Sequence, residues 1–333
     1  MPMGHSGFRF QSRILRALLA SCVAALAIVG VGSVADAAPT NRCAGATVTT
    51  RAASPSPTGW AENLTFDHSG NLWVSRLYGN SVERYDRSGR RTATVPVWAP
   101  GALRMGPGGD LYVNSGDQLS FGGERNGFVV KFDPLAPQPN PTVFSRGFAM
   151  PNGLAFDARG FGYVVDSSRG VVRIAPGGAI DQRWTDRALA ALAASSAVNG
   201  ISPNGAVVIG NDLYLTFTVS RTGRVVALPL DDPGSIRVVA DLTAPLPGLL
   251  DDLTALDPHT LAVTSTLGSL ALVDVRTGAR CTIALGAPAT AVAVQPSDSR
   301  ALVVASETGA LLDVRLAGRT QGKHMFDYRA NRG

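Results

Sequence analysis

Six segments of this chain repeat one plan: a short apolar strand, a turn, then a second apolar strand. The three clearest, each with Gly in the turn, are ENLTFDHSGNLWVSR from residue 62, GALRMGPGGDLYVNS from 101 and NGLAFDARGFGYVVDS from 152. NGISPNGAVVIGNDLYLTFT, DDLTALDPHTLAVTST and TAVAVQPSDSRALVVAS repeat it more loosely. Aligning the first strands on Leu64, Leu103, Leu154, Ile201, Leu253 and Val292 gives spacings of 39, 51, 47, 52 and 39 residues. Each period accommodates about four short strands with their turns, the size of one propeller blade. Third strands are legible too, as in NSVERYD, GFVVKFD and GVVRIA. Short strands rich in Val, Leu and aromatics, punctuated by Gly, Pro, Asn and Asp, favour an all-β chain. The expected fold is therefore a six-bladed β-propeller of four-stranded antiparallel blades around a central channel.

Two features qualify that plan. The last repeat, from Thr290, shows three strands, and ATVTTRA after Cys43 could supply its missing outer strand and close the ring. TDRALAALAASS from Thr185 could be a short capped helix over a channel mouth or an irregular Ala-rich insertion.

The chain has 333 residues, 45% of them hydrophobic and 17% charged, which provides a large core and excludes a disordered chain. Residues 1–37 read as an export signal: Arg9, Arg13 and Arg16, an apolar run, then the small-residue site Ala35-Asp36-Ala37. The rival lipoprotein reading of Leu19-Ala20-Ser21-Cys22 is disfavoured, because that cysteine lies inside the apolar run. Domain bounds follow as signal peptide 1–37, propeller 38–318 and polar tail 319–333. The expected destination is the exterior, the periplasm or the cell envelope, with no membrane association after cleavage and a monomeric state. Cleavage removes three arginines and Asp36 and leaves a net charge of +3. Basic residues are scattered and form no stripe with aromatics, so nucleic acid is not an expected partner.

Cys43 and Cys281 then remain as a candidate disulfide, since exported chains commonly pair their cysteines; two unrelated buried thiols are the alternative. Cys281 lies on the outer strand of the fifth repeat, where a bond would lock the closure. Zinc is excluded on ligand spacing.

In a propeller the innermost strands all begin at one face, so equivalent positions converge. Two residues before the aligned apolar position stand Glu62, Gly101, Asn152, Asn199, Asp251 and Thr290. Four are oxygen donors, and a carboxylate and amide set without His or Cys suits a hard cation, calcium better than magnesium, although another divalent ion could serve. Asn-Gly and Asp-Asp are also ordinary turn residues, the competing explanation for each taken singly. Asp252 is a further ligand or a partner orienting Asp251.

These residues carry a resemblance to the senescence-marker-protein, gluconolactonase and paraoxonase superfamily of calcium-dependent lactonases and esterases. It spans nearly the whole mature chain. Glu62 in AENLTFDHSGNLWV resembles the family's first-blade glutamate, Asn152 in MPNGLAFDARGFGYVVDS its PNG asparagine, and Asp251 in LLDDLTALDPHTLAVTS its late aspartate. Asn199 in VNGISPNG resembles an additional asparagine of paraoxonase-like members. The resemblance implies a metal-dependent hydrolase of a small lactone or ester. Its strictosidine-synthase branch shares the propeller without the metal, and a non-catalytic propeller binding a ligand or protein is the other alternative.

The expected chemistry is hydrolysis with the metal polarising the carbonyl and a carboxylate, Asp251 or Asp117, directing water. Asp117 lies in the long loop VNSGDQLSFGGERNG, where a solvated loop residue is the plainer reading. Paraoxonases are usually assigned a histidine relay that has no counterpart here. His68 and His259 fall in turns at the far end of their strands, on the order of 20 Å away at ~3.3 Å per residue. No serine triad is legible in the mature chain. Arg76, Tyr78, Asp166, Ser167 and Phe217 are expected near the mouth, none with a catalytic role.

Overall fold

The computed structural model describes residues 41–52, 58–118 and 124–317. The signal expected over 1–37 and the tail expected over 319–333 lie outside the described residues. The described chain forms six antiparallel sheets, one per sequence repeat, arranged as the blades of a propeller. The inner strands are Ala61–Phe66, Pro100–Met105, Pro151–Phe156, Gly200–Ile209, Leu250–Asp257 and Ala289–Gln295.

Apolar residues run almost without interruption along the central strands, because each blade buries both faces against its neighbours. Six hydrophobic clusters result among the described residues, each built from two adjacent blades. Trp73, Val82 and Val95 of blade 1 meet Leu103, Leu111 and Val113 of blade 2. Ala61, Leu64 and Val74 of blade 1 meet Ala291, Val303 and Ala305 of blade 6 on the other side, which closes the ring. Each fully buried Leu or Val contributes about 1.5–3 kcal/mol, so blade-to-blade contact dominates the stability of the ring.

The closure expected from the sequence is present. Thr47–Ala52 pairs antiparallel with Leu311–Arg315 and becomes the outer strand of blade 6. Just before it, Cys43 is bonded to Cys281 on the outer strand of blade 5. Cys43 N–H donates to the Thr282 carbonyl at 3.1 Å, and Thr282 N–H to the Asn41 carbonyl at 2.8 Å.

Blade 3 departs from the four-stranded plan, with three strands and a helix, α1 (Gln182–Ala194), packed on its third strand. Asp181 caps α1 by accepting from Trp184 N–H at 3.1 Å. Thr185 Oγ1 accepts from Arg173 N–H at 3.1 Å, so the helix bonds to the strand edge that a fourth strand would have covered. Trp184 and Ala188 enter the cluster between blades 3 and 4. The helix thus takes the outer-strand place and not a position over the mouth. No helix among the described residues is long and apolar enough to cross a membrane.

The disulfide ties positions 238 residues apart, and removal of such a bond typically costs about 2–5 kcal/mol. Cys43→Ser with Cys281→Ser is expected to lower the free energy of unfolding by that amount, read as a lower urea midpoint with a slope no shallower, since the uncrosslinked unfolded chain is more expanded. An unshifted midpoint would show that the strand pairing alone holds the ring closed.

Candidate functional site

In every blade the pairing of inner with second strand slips at the same place. The shifts fall between Ala61 and Asn63, Pro100 and Leu103, Pro151 and Gly153, Pro203 and Ala206, Leu250 and Leu253, and Ala289 and Val292. A bulge leaves one residue unpaired and re-aims its side chain. The residues so displaced from the ladder are Glu62, Gly101, Asn152, Asn204, Asp251 and Thr290. Hydroxyls of the second strands meet the backbone N–H groups that follow: Ser75 accepts from Asn63 at 2.9 Å, Thr216 from Gly205 at 2.8 Å and Thr264 from Asp252 at 3.0 Å.

Five of these six positions coincide with the sequence alignment; blade 4 does not. Ile201, aligned there as a core residue, is 70% exposed, whereas Ala206 is fully buried between blades 3 and 4. The core register therefore runs five residues later, and Asn204 in Pro203-Asn204-Gly205 stands where Asn152 stands in Pro151-Asn152-Gly153. Asn199 lies just ahead of the strand, donating from Nδ2 to Thr222 Oγ1 at 2.8 Å and accepting from Ser220 Oγ at 2.7 Å. Both ends of its amide are engaged. Asn204 donates to Thr218 Oγ1 at 3.0 Å, and its Oδ1 is buried without a partner among the described residues.

The Asn-Gly pairs are not turns. A Cβ on Gly153 would lie 2.2 Å from the Asn204 carbonyl oxygen, so glycine permits the inner strands of blades 3 and 4 to touch. At Gly101 a Cβ would crowd the Asn152 carbonyl at 3.0 Å and Asp117 Cβ at 3.1 Å. Blade 2 thus gives up a ring side chain, and Asp117 from the next loop fills the place. Ala99, at φ 37°, holds that loop by accepting from Gly116 and Asp117 N–H at 3.0 and 2.9 Å. Such left-handed strain is the kind held in place at functional sites.

Glu62, Asp117, Asn152 and Asp251 are all buried and act on one another. Trp60 Nε1 donates to Glu62 Oε2 at 2.5 Å, and Asn152 Nδ2 to Glu62 Oε1 at 3.4 Å. Asp117 lies against Glu62 and Asn152, and its Oδ1 has no partner among the described residues. Burial first, then the charges of Glu307 and Asp252, push the Glu62 carboxyl up to about 7. Burial and the Glu62 charge hold Asp117 well above the ordinary aspartate range, and the same two causes raise Asp251. Glu307, half-buried on a blade 6 loop and raised by burial, adds negative field to Glu62 and Asp251. Among the described residues no three His, Cys, Asp or Glu side chains could hold a metal by themselves. Any cation here would depend on the amide oxygens that such a grouping leaves out.

Other expected residues are built into the scaffold. Asp252 takes two hydrogen bonds from Arg104 and one from Asn63, which leaves it a structural carboxylate. Arg76 bonds Glu83, Tyr85 and the carbonyls of Gly59 and Gly309. Asp166 accepts from Ala149 and Met150 N–H, Ser167 donates to the Pro203 carbonyl, and Phe217 is core. Tyr78 is 57% exposed and packs edge-on against Trp60, with ring centroids 5.4 Å apart. His68 and His259 sit in turns at the opposite end of their inner strands from the bulges.

No family model and no curated protein matches this chain. Solved structures do. A gluconolactonase from Xanthomonas campestris is 16% identical, with 83% of this chain and 91% of that chain covered and a TM-score of 0.61. Regucalcin, a calcium-binding protein from Agrobacterium tumefaciens, is 16% identical over 81% of this chain and 95% of its own, TM-score 0.59. A streptogramin B lyase matches at 10% identity over 82% and 98%, TM-score 0.55. The likeness is one of fold. It includes gluconolactonase-like propellers, and the lyase shows that the same ring carries other chemistry.

An unfolded glutamate ionises near 4.5, whereas Glu62 in the fold keeps its proton to about 7. Between those values the folded protein binds more protons than the unfolded one, so stability falls as pH rises through the window. Asp117 and Asp251 shift in the same direction, and carboxylates held low, such as Glu83 and Asp157, titrate beneath it. In EDTA the melting temperature is expected to drop between about pH 5 and pH 8 by calorimetry. A flat or rising profile would refute the charge crowding.

Proposed function

We propose that this chain is an exported hydrolase of a lactone or related ester that depends on one divalent cation, calcium, at the mouth-side end of its channel. The observation that carries the reading is the gathering of Glu62, Asp117 and Asp251, all held above their ordinary range, beside unpartnered oxygens on Asp117 and Asn204. Buried carboxylates crowded in this way need a cation or protons. Glu62, Asn152, Asn204 and Asp251 would hold the ion. Asn152 as placed turns its amide N–H toward Glu62, and a half-turn of the amide would offer its oxygen instead. Two carboxylates and two amides, with no His or Cys, fit a hard ion of flexible coordination. Gluconolactonase and the calcium-binding regucalcin share the fold, which supports the same reading.

Bound calcium would polarise the substrate carbonyl and stabilise the negative charge that develops on its oxygen. Asp117 stands outside the inner-strand ring with one oxygen uncommitted, and we assign to it the direction of the attacking water. Trp60 orients Glu62 through its indole N–H. Six of the nine large hydrophobic residues exposed among the described residues, Tyr78, Trp98, Ile201, Val219, Leu246 and Leu267, belong to strand ends and loops at the bulge face. An apolar rim around a polar floor favours an ester or lactone bearing an apolar group. The signal-like sequence over 1–37 and the disulfide support export.

The test is metal analysis and calcium calorimetry on purified protein, with a lactone and aryl ester panel run with and without chelator. Glu62→Gln and Asp251→Asn are expected to lose both the ion and turnover. Asn204→Ala should weaken calcium strongly, and Asn199→Ala should leave affinity nearly unchanged, since the Asn199 amide is committed at both ends to Thr222 and Ser220 and ties no inner strand of the ring to another. Turnover that survives chelation would end the metal reading. Calcium-dependent stability with no hydrolysis would leave a ligand-binding propeller in its place.

A further inference from the structure

One arginine crosses the channel beneath the bulge residues. Arg104 follows Leu103 on the inner strand of blade 2, and the equivalent residues of the other inner strands are Thr65, Ala155, Val207, Thr254 and Ala293. A single long side chain among five short ones has space to reach the far wall. Arg104 Nη2 donates to both carboxylate oxygens of Asp252 at 2.8 Å, on blade 5, three blades away and therefore opposite in the ring. Its Nη1 donates to Asn63 Oδ1 on blade 1 at 2.7 Å and to the Leu103 carbonyl at 2.8 Å. Asn63 Nδ2 completes the triangle by donating to Asp252 Oδ2 at 3.0 Å. The Asp252 side chain is 2% exposed and that of Arg104 18%.

Both residues held by Arg104 adjoin candidate ligands: Asn63 follows Glu62, and Asp252 follows Asp251. Those ligands ride on bulges, where the ladder is locally interrupted and the strand can bend. A planar guanidinium bonded to a carboxylate and an amide at once fixes distance and orientation together. We propose that Arg104 is a positioning residue that ties the inner strands of blades 1 and 5 across the channel and so sets the placement of Glu62 and Asp251. The inference takes the identity of the ligands from the proposed function; the tie itself exists without a metal.

Charge and geometry predict opposite effects on calcium. Removing the cation of Arg104 leaves Asp252 uncompensated beside the site, which by Coulomb attraction alone tightens binding of a positive ion. Losing the tie weakens binding, because partners that orient ligands typically matter about 10–100-fold. Arg104→Met is therefore expected to raise the calcium Kd by about 10–100-fold. Arg104→Lys, which keeps the charge but offers no fork, should recover part of that loss. Hydrogen exchange in chelator gives a readout free of the ion: Arg104→Met should speed exchange in segments 61–66 and 250–257 and leave 151–156 unchanged. Calcium bound equally or more tightly by Arg104→Met, or exchange that rises alike in all three segments, overturns the proposal. Should wild-type protein bind no calcium, the metal reading falls and the exchange pattern still decides the role of Arg104. If Arg104→Met does not fold, Asp252→Asn removes the carboxylate fork and the exchange pattern alone decides, since loss of that negative charge weakens calcium whether or not the tie matters: faster exchange in 61–66 and 250–257 with 151–156 unchanged is expected, and a rise alike in all three segments overturns the proposal.

Discussion

The contact between neighbouring inner strands is the constraint from which the rest follows. Blades bury both faces, and the wedge they form brings backbone to within van der Waals range at the axis, as at Gly153 against the Asn204 carbonyl. No ordinary strand pairing accommodates that crowding, and every blade slips its register there. The slip puts one residue per blade out of the ladder. Six such residues around one axis form a site wherever their side chains carry chemistry.

What they carry is negative charge with little to neutralise it. Arg104 answers Asp252, and Arg76 answers Glu83, each at 2.8 Å. Among the described residues nothing of opposite sign answers Glu62, Asp117 and Asp251, and burial of an unpaired carboxylate is among the costlier arrangements in a folded protein. The apolar interfaces between blades supply the stability that makes such an arrangement tolerable. The scaffold elements that hold it are ordinary: hydroxyls on second strands, a strained Ala99, a glycine at position 101 that yields its place to Asp117.

Much of this was legible in the repeats. The blade count, closure by the strand after Cys43, the Cys43–Cys281 bond and the ring positions of Glu62, Asn152 and Asp251 can all be read by alignment. Blade 4 misled because VNGIS imitates the NGL of blade 3, while the true counterpart, Pro203-Asn204-Gly205, lies five residues on and repeats Pro151-Asn152-Gly153 outright. Glu307 and Trp60 left no signal, since each sits outside the aligned strand: Glu307 reaches the site only through the closure of blade 6 on blade 1, and Trp60 shows its role only in the bond it makes to Glu62. Arg104 is conspicuous only once its five small equivalents are placed around the same ring.

The sequence by itself determined the all-β class, six repeats and the kinds of atom available near the axis, because alternation of apolar strands and turns is a local property written at short range. Only the tertiary structure decided which asparagine of blade 4 enters the ring and that Asp252 belongs to Arg104. It also decided that a helix completes blade 3 and that Asp117 occupies the space left by Gly101. Each of these depends on what stands across a gap from residues tens to hundreds of positions away, and no local pattern carries that information.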